Sequence, residues 1–179
     1  MDEQETEGNV DIDAILREAR QTQLSLNVTA DYKVYICICA IFGAQRKIHK
    51  SWNSYQAVFT KLIAADEENG QKHFFQSVIQ FFINRNPDQQ KFAAALCKTL
   101  YDNSVLDDEF FTQWHSKQLK LDRDSKLYDR PAESAMRPLL NEFVQWLQSA
   151  EYDDEEGYGE EEETKGDGAE ENAPSETDA

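Results

Sequence analysis

From Asp11 to Glu151 the apolar positions fall three and four residues apart, the spacing that lines one face of a helix, not the alternation of a half-buried strand. Ile12, Ile15, Leu16 and Ala19 share the face of a first helix, with Asp11 or Asp13 placed to cap it. Tyr55, Val58, Phe59, Leu62 and Ile63 form a second stripe, and Phe74, Phe75, Val78, Ile79 and Phe82 a third after the break at Glu68-Asn69-Gly70. Pro87 suits the first turn of the next helix, which Phe92, Leu96, Thr99 and Leu100 continue. Leu139, Leu140, Phe143, Val144, Trp146 and Leu147 make the last stripe, where Pro138 either starts the final helix or kinks a longer one.

Val34 to Phe42 is an unbroken apolar run rich in β-branched residues, which alone would suit a buried strand. With no second strand to pair it, its backbone groups would go unsatisfied, so it reads as a buried helix. Residues 117 to 130 are charged and weakly periodic and read as a loop or short turns. The expected fold is all-α: seven or eight helices joined by short connections into antiparallel hairpins, stacked as a bundle or a short solenoid.

Charge divides the chain further. Of 35 acids and 18 bases, six acids and no base lie in residues 1 to 13, and 14 acids with only Lys165 lie in 151 to 179. The intervening stretch is nearly neutral. Expected boundaries are an acidic linker at 1–10, a helical domain at 11–151, and a disordered acidic tail at 152–179 that cannot bury enough apolar surface to offset chain entropy. Such an acidic chain favours basic partners over phosphate backbones and acidic lipid, so neither direct nucleic-acid binding nor membrane binding is expected. No stretch nears the roughly 18 apolar residues of a membrane span, and Met1 to Asp13 is acidic where a signal peptide would be basic and then apolar. Cys37, Cys39 and Cys97 are expected to be reduced, in the cytoplasm or nucleus.

Catalytic and metal motifs are absent. His49, His73 and His115 are too far apart to share a helix face, Cys37-x-Cys39 lacks a second pair, and no phosphate-cradling glycine loop or nucleophile elbow occurs. Neither an enzyme nor a metal or cofactor is expected. The informative feature is a twofold conjunction of aromatics with acids. The first runs from Leu100-Tyr101-Asp102 through Asp107-Asp108-Glu109 and Phe110-Phe111 to Trp114 and His115. The second runs from Phe143 and Trp146 into Glu151, Asp153, Asp154, Glu155 and Glu156. Packing alone would explain Phe110, Trp114, Phe143 and Trp146, and a helix dipole alone would explain the acids of the triplet. The functional reading is that buried aromatics rigidify a surface where carboxylates converge on a lysine-rich peptide.

These two segments, 100–115 and 143–156, resemble the aromatic/acidic boxes of the W-two domain, found at the end of translation initiation factor 5 and of the epsilon subunit of exchange factor 2B. The resemblance implies a HEAT-like stack of helical hairpins over about residues 11 to 156. It is nearest to the factor 5 branch, where the domain is a monomeric, cytoplasmic adaptor that gathers the multifactor complex. By that resemblance Asp102, Asp107, Asp108, Glu109, Glu151, Asp153, Asp154, Glu155 and Glu156, with Tyr101, Trp114, Phe143 and Trp146, bind lysine-rich blocks of the initiation factor 2 beta subunit. Initiation factor 1 and the c subunit of initiation factor 3 would occupy other faces. His115-Ser116-Lys117 departs from the family, where an acid commonly follows the tryptophan, and so does the distance from Pro138 to Trp146.

A patch of opposite sign, Arg46, Lys47, His49 and Lys50, reads either as a solvated helix end or as a second contact face. Met1 and the acidic linker fit a domain taken from a longer chain. The main alternative is the nucleotide-exchange segment of the 2B epsilon subunit, and a third reading is an acidic chaperone for basic proteins.

Overall fold

The computed structural model describes residues 11–43 and 48–155, with side chains at 11–43 and 51–149. Within them lie eight α-helices and no strand: α1 (Ile12–Leu26), α2 (Ala30–Phe42), α3 (Ile48–Ala64), α4 (Gly70–Gln80), α5 (Ala93–Asp102), α6 (Asp108–His115), α7 (Arg130–Leu139) and α8 (Asn141–Glu155). A π-helical turn at Phe81–Arg85 and a 3₁₀ turn at Pro87–Phe92 join α4 to α5. The expected helix count and the helical state of the 34–42 run are both met. The last helix passes the expected boundary at 151 by four residues, whereas the expected linker 1–10 and the rest of the tail lie outside the described residues.

Helix starts follow the carboxylates. Asp11 accepts from the Ala14 N–H at 2.9 Å, Asp107 from Phe110 at 2.7 Å and Asp129 from Ala132 at 3.1 Å, each relieving one of the unpaired donors of a first turn. Asn27, left-handed at φ 50°, closes α1. Gly70 is the first residue of α4, and it permits a close approach: a Cβ there would stand 2.1 Å from the Ile63 carbonyl oxygen of α3. Pro138 lies inside the last turn of α7, where its missing N–H helps end the helix one residue later, and α8 restarts at Asn141. It therefore neither starts the final helix nor kinks a continuous one.

Two aromatic layers fill the interior. In the first, Trp52 stacks on Phe59 at 5.2 Å and Phe59 meets Phe42 and Phe74 at 5.5 and 5.6 Å. In the second, Phe75 sits edge-on to Phe110, Phe111 and Trp114 at 5.4, 5.8 and 4.8 Å. Each of these side chains is buried, and each contributes about 1.5–3 kcal/mol by leaving water. Phe74 and Phe75 are neighbours on α4, which therefore belongs to both layers and fastens the N-terminal helices to the C-terminal ones.

Residues 117–129 form the loop that the sequence suggested, but they are held down. A polar row on α4, His73, Gln76 and Gln80, grips them: Gln76 Nε2 donates to the Asp122 carbonyl at 2.6 Å and Gln80 Nε2 to the Leu127 carbonyl at 3.0 Å. Ser125 Oγ donates to Asp31 Oδ2 of α2 at 2.5 Å, while Leu121 and Leu127 insert as buried anchors. His73 is clamped at both ring nitrogens, 2.8 Å from Asp66 and 2.8 Å from Asp122, an arrangement that favours the protonated ring, whose two N–H groups then each have a carboxylate to donate to. Burial pulls the His73 pKa down, but the hydrogen bonds to Asp122 and Asp66 and the charges of Asp66 and Asp31 outweigh it and lift it above the ordinary value.

A raised folded-state pKa sets the sign of the pH dependence. The His73 contribution is fully present below the unfolded pKa of about 6.5 and is lost as pH rises through the folded value. His73→Gln is expected to cost about 1.5–3 kcal/mol at pH 6 and to flatten the decline in stability that urea titrations of the parent chain register on the alkaline side. An unchanged pH profile in the variant would remove His73 as the titrating fastener.

Candidate functional site

The two boxes come together through a chain of ring contacts. From Trp114 it passes to Phe75 at 4.8 Å, to Phe111 at 5.8 Å, to Phe143 at 5.1 Å, to Trp146 at 6.1 Å and to Tyr101 at 5.9 Å. Five of these six rings sit on α5, α6 and α8, so α8 packs its aromatic face across both helices of the first box. Burial falls along the chain: Trp114 and Phe111 are at 0% exposure, Phe143 at 6%, Trp146 at 41%. The relay emerges at Trp146. Of the four aromatics expected to bind a partner, only Tyr101 and Trp146 offer surface to one. Trp114 and Phe143 are corrected to scaffold, because buried rings cannot be touched without unfolding.

The acids differ in how far local structure explains them. Asp107 is the α6 cap, Asp108 lies in that helix's first turn, and Glu109 accepts from Gln113 Nε2 at 2.6 Å. The dipole favours all three there. Asp102 is different. It ends α5, where the dipole disfavours a carboxylate, and its two oxygens each lie 2.9 Å from Lys98 Nζ. Lys98 in turn sits 4.8 Å over the Trp146 ring. The linker from Asp102 to Asp107 folds back, with the Ser104 N–H on Tyr101 O at 2.9 Å and the Val105 N–H on Leu100 O at 2.9 Å. This turn keeps the Asp102 end and the α6 triplet within a few residues of each other. Glu151, Asp153, Asp154 and Glu155 fall on the last turns of α8, which carry no base in the final turn, again against the dipole. Their side chains, and Glu156 altogether, lie outside the described residues, as do Arg46 and Lys47 and the side chains of His49 and Lys50.

A basic site that the sequence reading missed is plain in the structure. Lys117, Lys120, Arg123, Arg130 and Arg137 line a cleft of about 240 Å³, together with Leu119, Leu121, Tyr128, Glu133 and Ser134. Glu133 is its one acid and is paired to Arg137. The signal was present as the spacing of Lys117, Lys120, Arg123 and Lys126, three apart through the loop, but a loop without periodic apolar residues gives no face on which to place them.

The cysteines are free thiols. Burial pushes Cys37 up to about 11 and Cys97 higher still, so neither supplies a thiolate near neutral pH. Among the described residues no group of three or more His, Cys, Asp or Glu side chains could hold a metal ion, and no helix is long and apolar enough to cross a membrane.

Comparison with known proteins fits this geometry. Residues 70–157 match the family model described as W2: eIF4-gamma/eIF5/eIF2-epsilon. The chain is 30% identical over 93 residues to eukaryotic translation initiation factor 5 of Zea mays, covering 52% of this chain and 19% of that protein. It is 28% identical over 134 residues to the factor 5 of Phaseolus vulgaris, covering 74% and 28%. A solved structure, the C-terminal domain of translation initiation factor 5 at low pH, superposes with a TM-score of 0.61 at 22% identity, over 86% of this chain and 87% of that one. The chain thus spans under a third of the length of these full-length relatives. A helical stack closed by an aromatic relay that joins two acid-bearing segments belongs to the W2 family. Within it, this is a C-terminal W2 domain of the translation initiation factor 5 kind.

Proposed function

We propose that this domain is a non-enzymatic, cytoplasmic adaptor that captures lysine-rich segments of the initiation factor 2 beta subunit. On this reading it also holds initiation factor 1 and the c subunit of initiation factor 3, so that a multifactor preinitiation complex assembles around it as a monomer. The observation that carries the reading is the half-exposed Trp146, edge-on to Tyr101 and joined to Asp102 through the Lys98 ammonium, at the outer end of the relay. Both carboxylate groups placed against a helix dipole, Asp102 and the end of α8, lie on the helices that carry these rings. Acids set against a helix dipole attract cations: Lys98 already answers Asp102, and a lysine tract from outside would compete for the same charge.

Physically, the acidic surface and a lysine tract attract over about 8 to 10 Å at physiological salt, which speeds encounter. Each exposed ion pair adds only about 0–1 kcal/mol, so the anchor has to be packed contact at Tyr101 and Trp146. The cleft of Lys117, Lys120 and Arg123 supplies a second face of opposite sign for the other factors, in addition to the Arg46, Lys47, His49 and Lys50 patch.

The test is a titration of the full chain with a labelled lysine-rich peptide. Affinity is expected to fall on the order of tenfold between 0.05 and 0.3 M salt, and Trp146→Ala with Asp102→Asn to weaken it about tenfold at fixed salt. A salt-insensitive titration would contradict the reading. Strong acceleration of GDP release from factor 2 would instead select the exchange-segment alternative.

A further inference from the structure

We propose that the Trp146 face and the Asp102 carboxylate form a subsite for a single lysine ammonium, and that Lys98 occupies it in the free protein as a built-in competitor. The proposal rests on the docking reading above and adds to it the regulation of that site. Lys98 Nζ lies 4.8 Å from the Trp146 ring centroid and 2.9 Å from each Asp102 oxygen, so one ammonium has both a π face and a bidentate carboxylate. That is the environment an incoming lysine would require.

Helix stability does not account for the arrangement. The pair runs Lys98 to Asp102, the less favourable order for an i,i+4 ion pair, and ends with an acid at the negative pole of α5. The rest of the subsite is fixed: Trp146 stacks on buried Phe143 and meets Tyr101 edge-on. The Lys98 and Asp102 side chains are 50% and 49% exposed. A flexible, half-exposed lysine over a fixed ring can swing out without disturbing the core. An arriving lysine takes its place by exchange of one ammonium for another, with no net change in charge at the subsite. Lys98 therefore lowers affinity for isolated lysines and leaves tracts able to win by offering several.

The experiment compares Lys98→Met with Lys91→Met in the full chain. Lys91 also lies over a ring, Phe92, at 5.2 Å, but has no place in the docking surface, so its removal measures the effect of one lost positive charge. With a labelled peptide carrying lysine tracts, Lys98→Met is expected to tighten binding about 3- to 10-fold and Lys91→Met less than about 2-fold. In a Trp146→Leu background the gain from Lys98→Met should shrink toward that of Lys91→Met. Equal effects of the two methionine variants, or weaker binding by Lys98→Met, would overturn the competitor role while leaving the docking reading intact. Absence of peptide binding by parent and variant alike would overturn both. Thermal unfolding of each variant, expected unchanged within a few degrees, separates lost binding from lost fold.

Discussion

Phe111→Ala is expected to lower the unfolding free energy by about 3–5 kcal/mol, the cost of removing a large ring from a core that cannot close around the space. Phe111 is at 0% exposure and touches three other rings, Phe75, Phe110 and Phe143, at 5.8, 5.9 and 5.1 Å. It is the joint through which α6 holds both α4 and α8. Phe111→Leu, which retains much of the volume, should cost about 1.5 kcal/mol or less. Urea unfolding of the three chains decides the matter: a Phe111→Ala loss below about 1 kcal/mol would mean that the relay is not a packed unit.

Arg137→Met is expected to cost a similar amount, about 3–5 kcal/mol, for a different reason. Arg137 stacks 4.5 Å over Trp114, donates to the Trp114 carbonyl and, at 2.9 Å, to the His115 carbonyl, and pairs with Glu133. Both ion-pair side chains are largely buried, at 15% and 13% exposure. Methionine preserves most of the apolar contact but strands the Glu133 charge and takes the guanidinium donor from the His115 carbonyl, while the Trp114 carbonyl keeps the Lys117 N–H at 3.1 Å. Adding Glu133→Gln to Arg137→Met should therefore recover at least about 1 kcal/mol, because the orphaned charge is then gone. Additive losses in the double variant would point to packing on Trp114 as the whole effect.

The helices were legible because their cores are apolar and evenly spaced. The 34–42 run needed one further argument, that a lone strand is unsatisfied, and α2 obeys it. What spacing could not give was sidedness. Trp114 and Trp146 both sit in helical stripes, yet one is sealed in the core and the other opens to solvent, and only the crossing of α8 over α5 and α6 separates them. The row of His73, Gln76 and Gln80 was illegible for a related reason. Polar residues on a helix read as a wetted face, whereas here they serve as hooks for a loop that arrives more than 40 residues later. Lys98 and Asp102 are an ordinary i,i+4 pair in the sequence, and nothing there brings Trp146 to them.

The ring relay has a kinetic consequence. Trp146 is braced from behind by a continuous series of buried rings, so on the proposed docking reading its surface is organised before any lysine-rich segment arrives, and the ordering entropy of complex formation falls almost wholly on that segment. Substituted carboxylates should then be felt mainly in how fast complexes form, and substitutions at Trp146 in how long they last.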